Sequence, residues 1–418
     1  MNCGLDFGTS NSTLALCRER AVTLVPLEED GITIPSAVFY SAVAPQPCFG
    51  KQAMQLFMEG EEGRFMRSLK RILGTSLMND GTVVNGKLKK FEDVLGDFIG
   101  HMKAVAEQHS GVEMINVVMG RPVHFADNDS KTDSRAQDEL QNIAQAVGFK
   151  HVAFQYEPIA AAFAHERNLP SEKLALVADI GGGTSDFTVI RLAQDVMDKA
   201  DRTDDILGNS GIRIGGNDFD KDLSLRAFMP DFGYGTDYGE KNLPLPAVPF
   251  HDMSEWSKIN FLYTPKMHKQ MRDILPQSHA PEKFSRYIKL LEEEKGHQLL
   301  AAVEDCKIGL TEHLQVTASL DFVEEAFSVT VARSVFNDAV EKHVRAIIAD
   351  IDDCLRQAQI AEEAVELIIL TGGTTEVPLL KETIAAKFPQ AEISEENKLS
   401  SVGLGLGYEA IRRFGMMA

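Results

Sequence analysis

Two segments of this chain carry the same pattern, which is an apolar strand, an aspartate and then a glycine turn with hydroxyl side chains. The first is residues 3–12 with Asp6, and the second is residues 176–186 with Asp179. Glycines let the backbone turn sharply and approach a ligand, and backbone N–H groups with hydroxyls can surround phosphate oxygens. An ordinary hairpin explains either segment alone equally well. The presence of both predicts a site that clasps a nucleotide phosphate tail, with a magnesium ion between the carboxylates and the phosphates.

Composition and charge argue against several classes of protein. The 418 residues carry a net charge of −20, which argues against general binding of nucleic acids or of anionic membranes. No long uncharged apolar stretch is present, so we expect no membrane-spanning helix. The predicted first strand begins within a few residues of Met1 and leaves no room for a signal peptide. The five cysteines are scattered and fit no metal or disulfide spacing, and we expect a cytoplasmic protein.

The order of predicted elements indicates an α/β fold. The first half begins with strands and then alternates strands and helices, and the second half repeats this order around Asp179. The repetition predicts two duplicated α/β lobes around a nucleotide cleft, with small inserted subdomains. Lobe I is predicted as residues 1–165, with an accessory insertion at about 22–90 and a closing C-terminal helix at about 400–418. Lobe II is predicted as residues 166–399, with an inserted subdomain at about 205–310.

Apolar periodicity predicts the individual elements. Helices are expected at residues 91–109, 131–147, 282–311, 334–359 and 401–410, and after Pro158. Strands are expected at residues 114–119, near 315–331 and at 366–370. Residues 229–280 hold many prolines and glycines, which indicates loop-rich inserted material.

Several local strings stand in the order of a known superfamily. They are Asp6 to Asn11, Ser68-Leu-Lys-Arg-Ile-Leu-Gly74, Glu157-Pro-Ile-Ala-Ala161, Asp179 to Asp186, Gly215-Gly-Asn-Asp-Phe-Asp220 and Leu370-Thr-Gly-Gly-Thr374. Over essentially the whole chain, they resemble the actin-like ATPase superfamily and, within it, the ATPase domain of DnaK-type heat-shock chaperones. The strings Phe154 to Pro158 and Arg213 to Asp218 are similar to those of bacterial YegD-type chaperone-like proteins.

The resemblance implies a role for each motif residue in binding and hydrolysing ATP, with ADP as product and Mg²⁺ as the metal. Asp6, Asp179 and Glu157 would hold the metal and its waters, and Lys70 would reach the terminal phosphate and the attacking water. These four and Thr184 are the implied catalytic residues. The implied phosphate-binding residues are Gly8, Thr9, Ser10, Asn11, Gly181, Gly182, Gly183, Thr184, Gly215 and Gly216. Turnover would be slow and gated by lobe closure, because phosphoryl transfer depends mainly on positioning and charge neutralisation.

The implied base site departs from the family pattern. Its residues would be Glu304, Lys307, Ile308, Thr311, Gly372, Gly373, Thr374 and Glu376. Ile308 and Glu376 stand where the family commonly places two arginines that sandwich adenine. Each lost cation–π contact weakens binding by about 1–2 kcal/mol, so the resemblance implies modest nucleotide affinity and relaxed base choice.

Simpler interpretations stay open for three of the site residues. Lys70 also fits a solvated basic run with Arg67 and Arg71. Glu157 also fits the acidic start of a helix. Asp186 fits a hydrogen-bonding brace of its hairpin as well as a metal contact.

Three further features have two interpretations each. Arg135 resembles a family position that couples nucleotide state to a partner domain, and it also fits an exposed surface charge. Pro122 fits a switch or a strand terminator. The aromatic residues of segment 229–280, Phe250, Trp256, Phe261 and Tyr263, fit a partner surface or a self-packed loop cluster.

The chain ends about where the ATPase domain of the resembled chaperones ends, so we expect no peptide-binding domain after it. The combined interpretation is a chaperone-type nucleotide switch that binds Mg-ATP and hydrolyses it slowly, with an unidentified protein client or co-chaperone as partner. Three alternatives stay open, which are a nucleotide-sensing interaction module with weak catalysis, a small-molecule kinase on the same fold and a filament-forming relative.

Overall fold

The computed structural model describes residues 1–19, 21–29, 31–127, 129–167, 169–197, 199, 202–395 and 399–415. The strands of this part of the chain, β1 to β20 in order, are Asn2–Phe7, Asn11–Arg18, Ala21–Leu24, Thr33–Pro35, Ala37–Ser41, Cys48–Phe49, Gly63–Arg67, Gly81–Val84, Lys87–Lys90, Asn116–Arg121, His151–Tyr156, Lys173–Ile180, Ser185–Leu192, Ile206–Ile212, Asp237–Tyr238, Leu243–Pro244, Gln315–Ser319, Ser328–Ala332, Leu367–Thr371 and Glu392–Ser394. Its α-helices, α1 to α12 in order, are Gly50–Met58, Phe91–Ser110, Ser130–Ala146, Glu157–Glu166, Gly216–Leu223, Ala247–Met253, Pro265–Ile274, Pro281–Glu292, Gly296–Glu312, Arg333–Ala358, Pro378–Lys387 and Ser401–Phe414.

The chain forms two compact units. The first comprises Met1–Gly215, Ala346–Glu376 and Leu380–Ala418, and the second comprises Gly216–Arg345 and Val377–Leu379. Both glycine turns and both aspartates singled out by the sequence therefore belong to the first unit. The predicted lobes were defined by the repeated order of elements and not by compactness. Their boundaries stay a prediction.

The first large sheet of the first unit contains the N-terminal glycine turn. Its strand order is β11-β10-β1-β2-β3, and β4 also pairs with β2. Strands β1 and β2 are antiparallel and place Asp6 opposite Thr13. Strand β10 is parallel to β1 and to β11. The carboxyl ends of these three strands meet at one sheet edge, where Asp6, Arg121 and Tyr156 lie.

The second large sheet repeats this arrangement. Its strand order is β14-β13-β12-β19-β20. Strands β12 and β13 form an antiparallel hairpin in which Asp179 faces Asp186. Strand β19 is parallel to β12 and places Thr371 beside Asp179. Each sheet thus joins an antiparallel hairpin to a parallel strand, which agrees with the predicted duplication.

A shared apolar cluster connects these two sheets. It contains Val118 of the first sheet, Val177 and Ile369 of the second, and residues of α4 and α12. A larger cluster packs α2 and α3 against the first sheet. Because both glycine turns emerge from sheets anchored to the same cluster, packing fixes the position of one turn relative to the other.

Helix α12 approaches its neighbours so closely that only glycine fits at the contacts. A Cβ atom on Gly405 would lie 1.7 Å from the carbonyl oxygen of Ala160 in α4. A Cβ atom on Gly4 in β1 would lie 2.3 Å from the backbone nitrogen of Gly407. The Cys17 thiol in β2 donates to the carbonyl oxygen of Gly407 at 3.1 Å. The glycines of this helix therefore allow backbone-to-backbone packing.

The element predictions are confirmed for the long periodic segments and are wrong in three places. Helices α2, α3, α10 and α12 occupy their predicted segments. The predicted helix over residues 282–311 is two helices, α8 and α9, which are separated at residues 293–295. The predicted strand 114–119 begins two residues later, as β10. Residues 229–280 are loop-rich as predicted, but the prediction missed the helices α6 and α7 within them.

The aromatic residues of segment 229–280 mostly pack within the second unit. Phe250 is completely buried and Trp256 is 5% exposed, whereas Phe261 is 42% exposed. The Phe250 ring lies 4.5 Å from that of Tyr287 in α8. The self-packed interpretation is therefore right for Phe250 and Trp256.

Among the residues that the structure describes, no helix combines the length and the apolar character needed to cross a membrane.

Candidate functional site

A buried ion pair between Lys70 and Glu157 lies at the centre of the candidate site. Lys70 belongs to a short 3₁₀ turn, Leu69–Ile72, which follows Ser68 in a left-handed conformation with φ of 60°. Glu157 begins α4 directly after β11. The Lys70 Nζ donates to the Glu157 Oε1 at 2.6 Å, and the two side chains are 7% and 9% exposed. Lys70 is therefore not part of a solvated basic run, and Glu157 does more than begin a helix.

Three buried aspartates interact electrostatically with this pair. Burial, and then repulsion by Glu157, raises the pKa of Asp6 to about 7 and that of Asp186 to about 8. The same two causes, together with Asp186 and Asp6, raise the pKa of Asp179 well above its usual value. Burial alone would lower the pKa of Lys70, but attraction by Glu157 and Asp6 raises it. Four carboxyl groups thus share one lysine, and this excess of acidic groups favours a cation.

Two buried serines hold the first glycine turn. The backbone N–H of Gly8 donates to the Ser12 Oγ at 3.2 Å, and the Ser36 hydroxyl donates to the Gly8 carbonyl at 2.8 Å. The hydroxyls of Ser12 and Ser36 lie 2.9 Å apart. The Ser36 N–H also donates to the carbonyl of Ser10. Sequence reasoning missed both serines in this role, since Ser36 is distant in sequence and belongs to no recognised string.

The second glycine turn is held by contacts from two later segments. The Gly181 N–H donates to the Thr184 carbonyl at 3.0 Å. The Thr374 hydroxyl donates to the carbonyl of Gly181 at 2.8 Å, and the Ser185 hydroxyl donates to that of Ile214 at 2.8 Å. Thr374 was predicted to line the base site, and here it supports the phosphate turn.

The two glycine turns touch each other. A Cβ atom on Gly183 would lie 2.6 Å from the Thr9 Oγ1, so the second turn admits the Thr9 side chain only because residue 183 is glycine. A Cβ atom on Gly215 would lie 2.6 Å from the backbone nitrogen of Gly183. Gly372 has a φ of +83°, and its Cβ atom would meet the Ile180 carbonyl oxygen at 2.3 Å. The predicted phosphate residues of the first unit thus form one compact group of backbone segments.

The other predicted phosphate-binding residues directly adjoin the residues of these contacts in the sequence. Asn11 begins β2, and Gly182 and Thr184 complete the turn between β12 and β13. Gly216 is the first residue of α5 and belongs to the second unit.

Asp186 links the second turn to the strand end of the first sheet. Its Oδ1 accepts a hydrogen bond from the Val123 N–H at 2.6 Å. The interpretation of Asp186 as a hydrogen-bonding brace is therefore right, and its partners are the Val123 N–H of another segment and Thr184 of its own hairpin. Metal contact by Asp186 stays untested.

The predicted base-site residues fall into two groups, and each group belongs to a different compact unit. Glu304, Lys307, Ile308 and Thr311 lie on α9 of the second unit, whereas Gly372, Gly373, Thr374 and Glu376 follow β19 in the first. The Lys307 Nζ lies 2.7 Å from the Asp220 Oδ1, so this lysine is engaged in an ion pair. Ile308 is 55% exposed. The base site stays a prediction.

The positions of Arg135 and Pro122 fit their simpler interpretations, and the roles implied by the family stay untested. The Arg135 side chain is 50% exposed on α3, where its Nε lies 3.8 Å from the Glu139 Oε1. Pro122 directly follows the last residue of β10 and so stands where a strand ends.

The predicted metal residues do not form a complete binding site by themselves. Within the described part of the chain, no three His, Cys, Asp or Glu side chains form a group that could hold a metal ion. A magnesium ion near Asp6 and Asp179 would therefore complete its shell with waters and phosphate oxygens, as this strongly hydrated ion commonly does. The buried carboxylates beside the glycine turns fit such a hydrated ion.

Comparison with known proteins identifies the family. A sequence model of the Hsp70 protein family matches residues 2–242 and 278–409. The chain belongs to the Hsp70 family. Hsp70 proteins have the actin-like ATPase fold, so this match confirms both the resemblance and the predicted fold class.

Individual relatives in the Hsp70 family are distant. An HscA chaperone homologue of Haemophilus influenzae (strain PittGG) is 21% identical over 429 residues, and that of Pasteurella multocida (strain Pm70) is 22% identical over 427. The HscA homologue of Methylobacillus flagellatus is 24% identical over 426 residues. Each match covers 97% of this chain and 57% of the relative, so the chain spans little more than half the length of these proteins.

Proposed function

We propose that this Hsp70-family chain binds Mg-ATP at its two glycine turns and hydrolyses it slowly, as the nucleotide switch of a chaperone-type system. The observation that carries the proposal is the contact of the two turns beside the buried Lys70–Glu157 pair. Short glycine motifs recur by chance. Two such motifs in contact, with four carboxyl groups and one lysine around them, provide the chemistry that a triphosphate and a hydrated cation need.

Each group has a distinct task in this proposal. Backbone N–H groups of the turns and the hydroxyls of Thr9 and Thr184 bind phosphate oxygens. Asp6 and Asp179 would hold the magnesium ion, which when bound neutralises phosphate charge. Lys70 supplies a compact positive charge where negative charge develops at the terminal phosphate. Glu157, held by Lys70, orients the attacking water.

The chaperone part of the proposal comes from the family. The relatives are called HscA chaperone homologues, and this chain aligns with 57% of their length. We assign to the chain the nucleotide-dependent step of such a system, with a protein client or co-chaperone as the expected partner.

The first test is phosphate release by the wild type and by Lys70→Ala. Loss of the lysine removes the charge at the terminal phosphate, so we expect the rate to fall by about a hundredfold or more. The matched control is Lys103→Ala, because Lys103 is equally buried at 8% exposure and forms an ion pair with Glu107 in α2. Both variants lose stability by leaving a carboxylate unpaired, but only Lys70→Ala should lose turnover. Equal rates in all three proteins would contradict the ATPase proposal.

A second test concerns the base. With Ile308 and Glu376 at the positions of stacking arginines, we expect calorimetry to give ATP and GTP dissociation constants within about tenfold of each other, since one cation–π contact is worth about 1–2 kcal/mol. Ile308→Arg should tighten ATP binding by about fivefold to thirtyfold on the same estimate. Leu314→Arg, at a position that is 76% exposed just beyond α9, is the matched control and should change nothing. Nanomolar ATP binding by the wild type would contradict the prediction.

A binding-only module is the second candidate, and one observation favours it. Lys70 donates to Glu157 at 2.6 Å, so one donor of the lysine and one oxygen of the carboxylate are already paired with each other. If nucleotide binding leaves this pair intact, the chain senses nucleotide without turning it over. That outcome would be seen as a nucleotide-dependent rise in melting temperature together with a phosphate-release rate that Lys70→Ala does not change.

A further inference from the structure

We propose that Arg121 is the positioning residue of the candidate site. Its buried guanidinium would fix the position of two parts of the chain. One is the segment that binds Asp186, and the other is the strand end that precedes Glu157. Arg121 was not among the predicted site residues, and it makes no contact with Asp6, Lys70 or Asp179 in the hydrogen bonds described above. Its role follows from four hydrogen bonds and two ring contacts.

The guanidinium of Arg121 binds helix α3 and the chain that follows β10. Its Nη2 donates to the Asp133 Oδ2 at 2.7 Å, and its Nη1 donates to the Gln137 Oε1 at 2.6 Å. Its Nε donates to the carbonyl of Pro122 at 3.0 Å, and Nη2 also donates to that of Val123 at 3.2 Å. Arg121 is 8% exposed, so these bonds form away from bulk water. Four donor contacts in one plane fix residues 122–123 against α3.

The fixed segment carries the amide that binds Asp186. The Val123 N–H donates to the Asp186 Oδ1 at 2.6 Å, while the Val123 carbonyl accepts from Arg121. The carbonyl and the N–H of Val123 thus connect the Arg121 guanidinium to Asp186 and so to the second glycine turn. Asp133 strengthens this connection, because its other oxygen accepts from the Phe125 N–H at 2.6 Å.

The other connection runs to Glu157. Arg121 and Tyr156 are paired residues at the ends of β10 and β11. The guanidinium lies 5.3 Å from the centre of the Tyr156 ring and 5.0 Å from that of Phe125. Tyr156 directly precedes Glu157, whose carboxylate pairs with Lys70. The contact of the guanidinium with the Tyr156 ring therefore connects Arg121 to the strand end from which α4 begins.

Arg121→Lys is the variant that tests this role. Lysine keeps the charge and can still bind Asp133, but it lacks the planar fork that reaches Gln137 and both carbonyls. We expect the exchange of the Val123 amide with solvent, followed by NMR, to accelerate about tenfold or more. We also expect the Mg²⁺ concentration at the midpoint of thermal stabilisation by Mg-ADP to rise about tenfold, as the Asp186 side of the site loosens. The second readout rests on the proposed function, and the first does not.

Arg202→Lys is the matched control. Arg202 is 4% exposed, its Nη1 donates to the Glu166 Oε2 at 2.8 Å, and it lies 5.1 Å from the Phe163 ring. It is therefore a comparably buried arginine over an aromatic ring, but its partners are Asp205 and residues at the far end of α4. Its replacement should lower the melting temperature without changing Val123 exchange or the Mg²⁺ midpoint.

Two further variants separate positioning from loss of folding. In an Asp186→Ala background the link to Val123 is already absent, so Arg121→Lys should cause little further change in the Mg²⁺ midpoint. If Arg121→Lys does not fold, Asp133→Asn keeps the arginine and should show smaller changes in the same direction. Unchanged Val123 exchange in these variants, or additive effects of Arg121→Lys and Asp186→Ala, would overturn the inference. A wild type without any Mg-ADP stabilisation would overturn the proposed function and leave the exchange measurement to decide on Arg121.

Discussion

Lys70 and Glu157 form a buried ion pair, so removing either side chain would leave the charge of the other unpaired. Both residues stood in recognisable strings, and the resemblance gave both a role at the nucleotide. That they bind each other at 2.6 Å could not be predicted, because the two strings are 87 residues apart. The contact depends on where the 3₁₀ turn after β7 lies relative to the end of β11, which is a property of the packed sheet.

The raised pKa values of the buried aspartates predict a particular pH dependence of stability. Without a metal ion, Asp6 and Asp186 keep their protons in the folded state up to pKa values of about 7 and about 8, whereas the unfolded chain loses them near the ordinary aspartate pKa of 3.8. The folded state therefore binds more protons across this window, so stability falls as pH rises through it and levels off above it. Urea unfolding in EDTA, from about pH 5 to about pH 8.5, should show this fall.

Asp186→Asn tests which group is responsible. The asparagine oxygen can still accept the Val123 N–H, but the side chain no longer titrates, so the decline with pH should become shallower. Asp129→Asn, at the exposed N-cap of α3, serves as the control and should keep the wild-type slope. An identical slope in Asp186→Asn would show that this carboxyl is already ionised in the folded protein.

Other residues of the site gave no signal in the sequence. Ser12, Ser36 and Arg121 hold the glycine turns and strand ends through contacts with distant segments. Serines after a strand and an arginine before a proline are ordinary in any protein. Residues that bind phosphate form recurrent strings because the ligand is constant, whereas the residues that support them depend on the particular packing.

Close helix packing is the main feature at the scale of elements. The Cβ atom of an alanine at position 405 would lie 1.7 Å from a backbone oxygen of α4, which a side-chain movement cannot relieve. We expect Gly405→Ala to lower the free energy of unfolding by about 3 kcal/mol. At Gly407 the nearest atom is the Val22 Cγ1, at 2.4 Å, and a side chain can shift. Gly407→Ala should therefore cost about 1–2 kcal/mol, as measured by urea unfolding.

Gly100→Ala in α2 is the control for this series. The nearest atom to its added Cβ would be the Val147 Cγ1 at 3.6 Å, which is an ordinary contact. Alanine is a better helix former than glycine, so this variant should gain about 0.5–1 kcal/mol. A loss of stability at Gly100 comparable to that at Gly405 would show that helical glycines matter here for a reason other than space.

Elements were predictable where periodicity was long and were missed where proline was misinterpreted. Helices α2 and α3 have regular apolar spacing and lie where they were predicted. In segment 229–280, proline was taken as a sign of loops, yet α7 begins at Pro265. Helix α8 begins in the same way at Pro281. Proline at the first helical position loses no hydrogen bond, so it marks the start of a helix as readily as its end.

At the scale of the whole molecule, the net charge of −20 predicts a response to salt. The folded chain concentrates this charge, and its self-repulsion destabilises the compact state. Raising NaCl from about 20 mM to about 300 mM shortens the Debye length from about 20 Å to about 6 Å. We expect the melting temperature at neutral pH to rise by several degrees, as measured by differential scanning calorimetry.

Potassium chloride at the same ionic strengths distinguishes screening from specific ion binding. Screening predicts the same rise with both salts. A melting temperature that falls with salt would mean that local ion pairs outweigh the net repulsion.

The duplicated α/β plan was predictable from two similar motifs in similar order, because a repeated sequence pattern builds a repeated sheet. The compact units were not, since both motif-bearing sheets share one apolar cluster that the linear sequence does not display. The compact units depend on which faces of the sheets and helices pack together, and the order of motifs does not predict this.

The glycine contacts of α12 have a consequence for biosynthesis. Strand β2 is synthesised well before the helix that covers it, because Cys17 and its partner Gly407 are 390 residues apart. Until then the apolar face of the earliest strands stays uncovered. A nascent chain in which α12 is not yet made would therefore expose this apolar face.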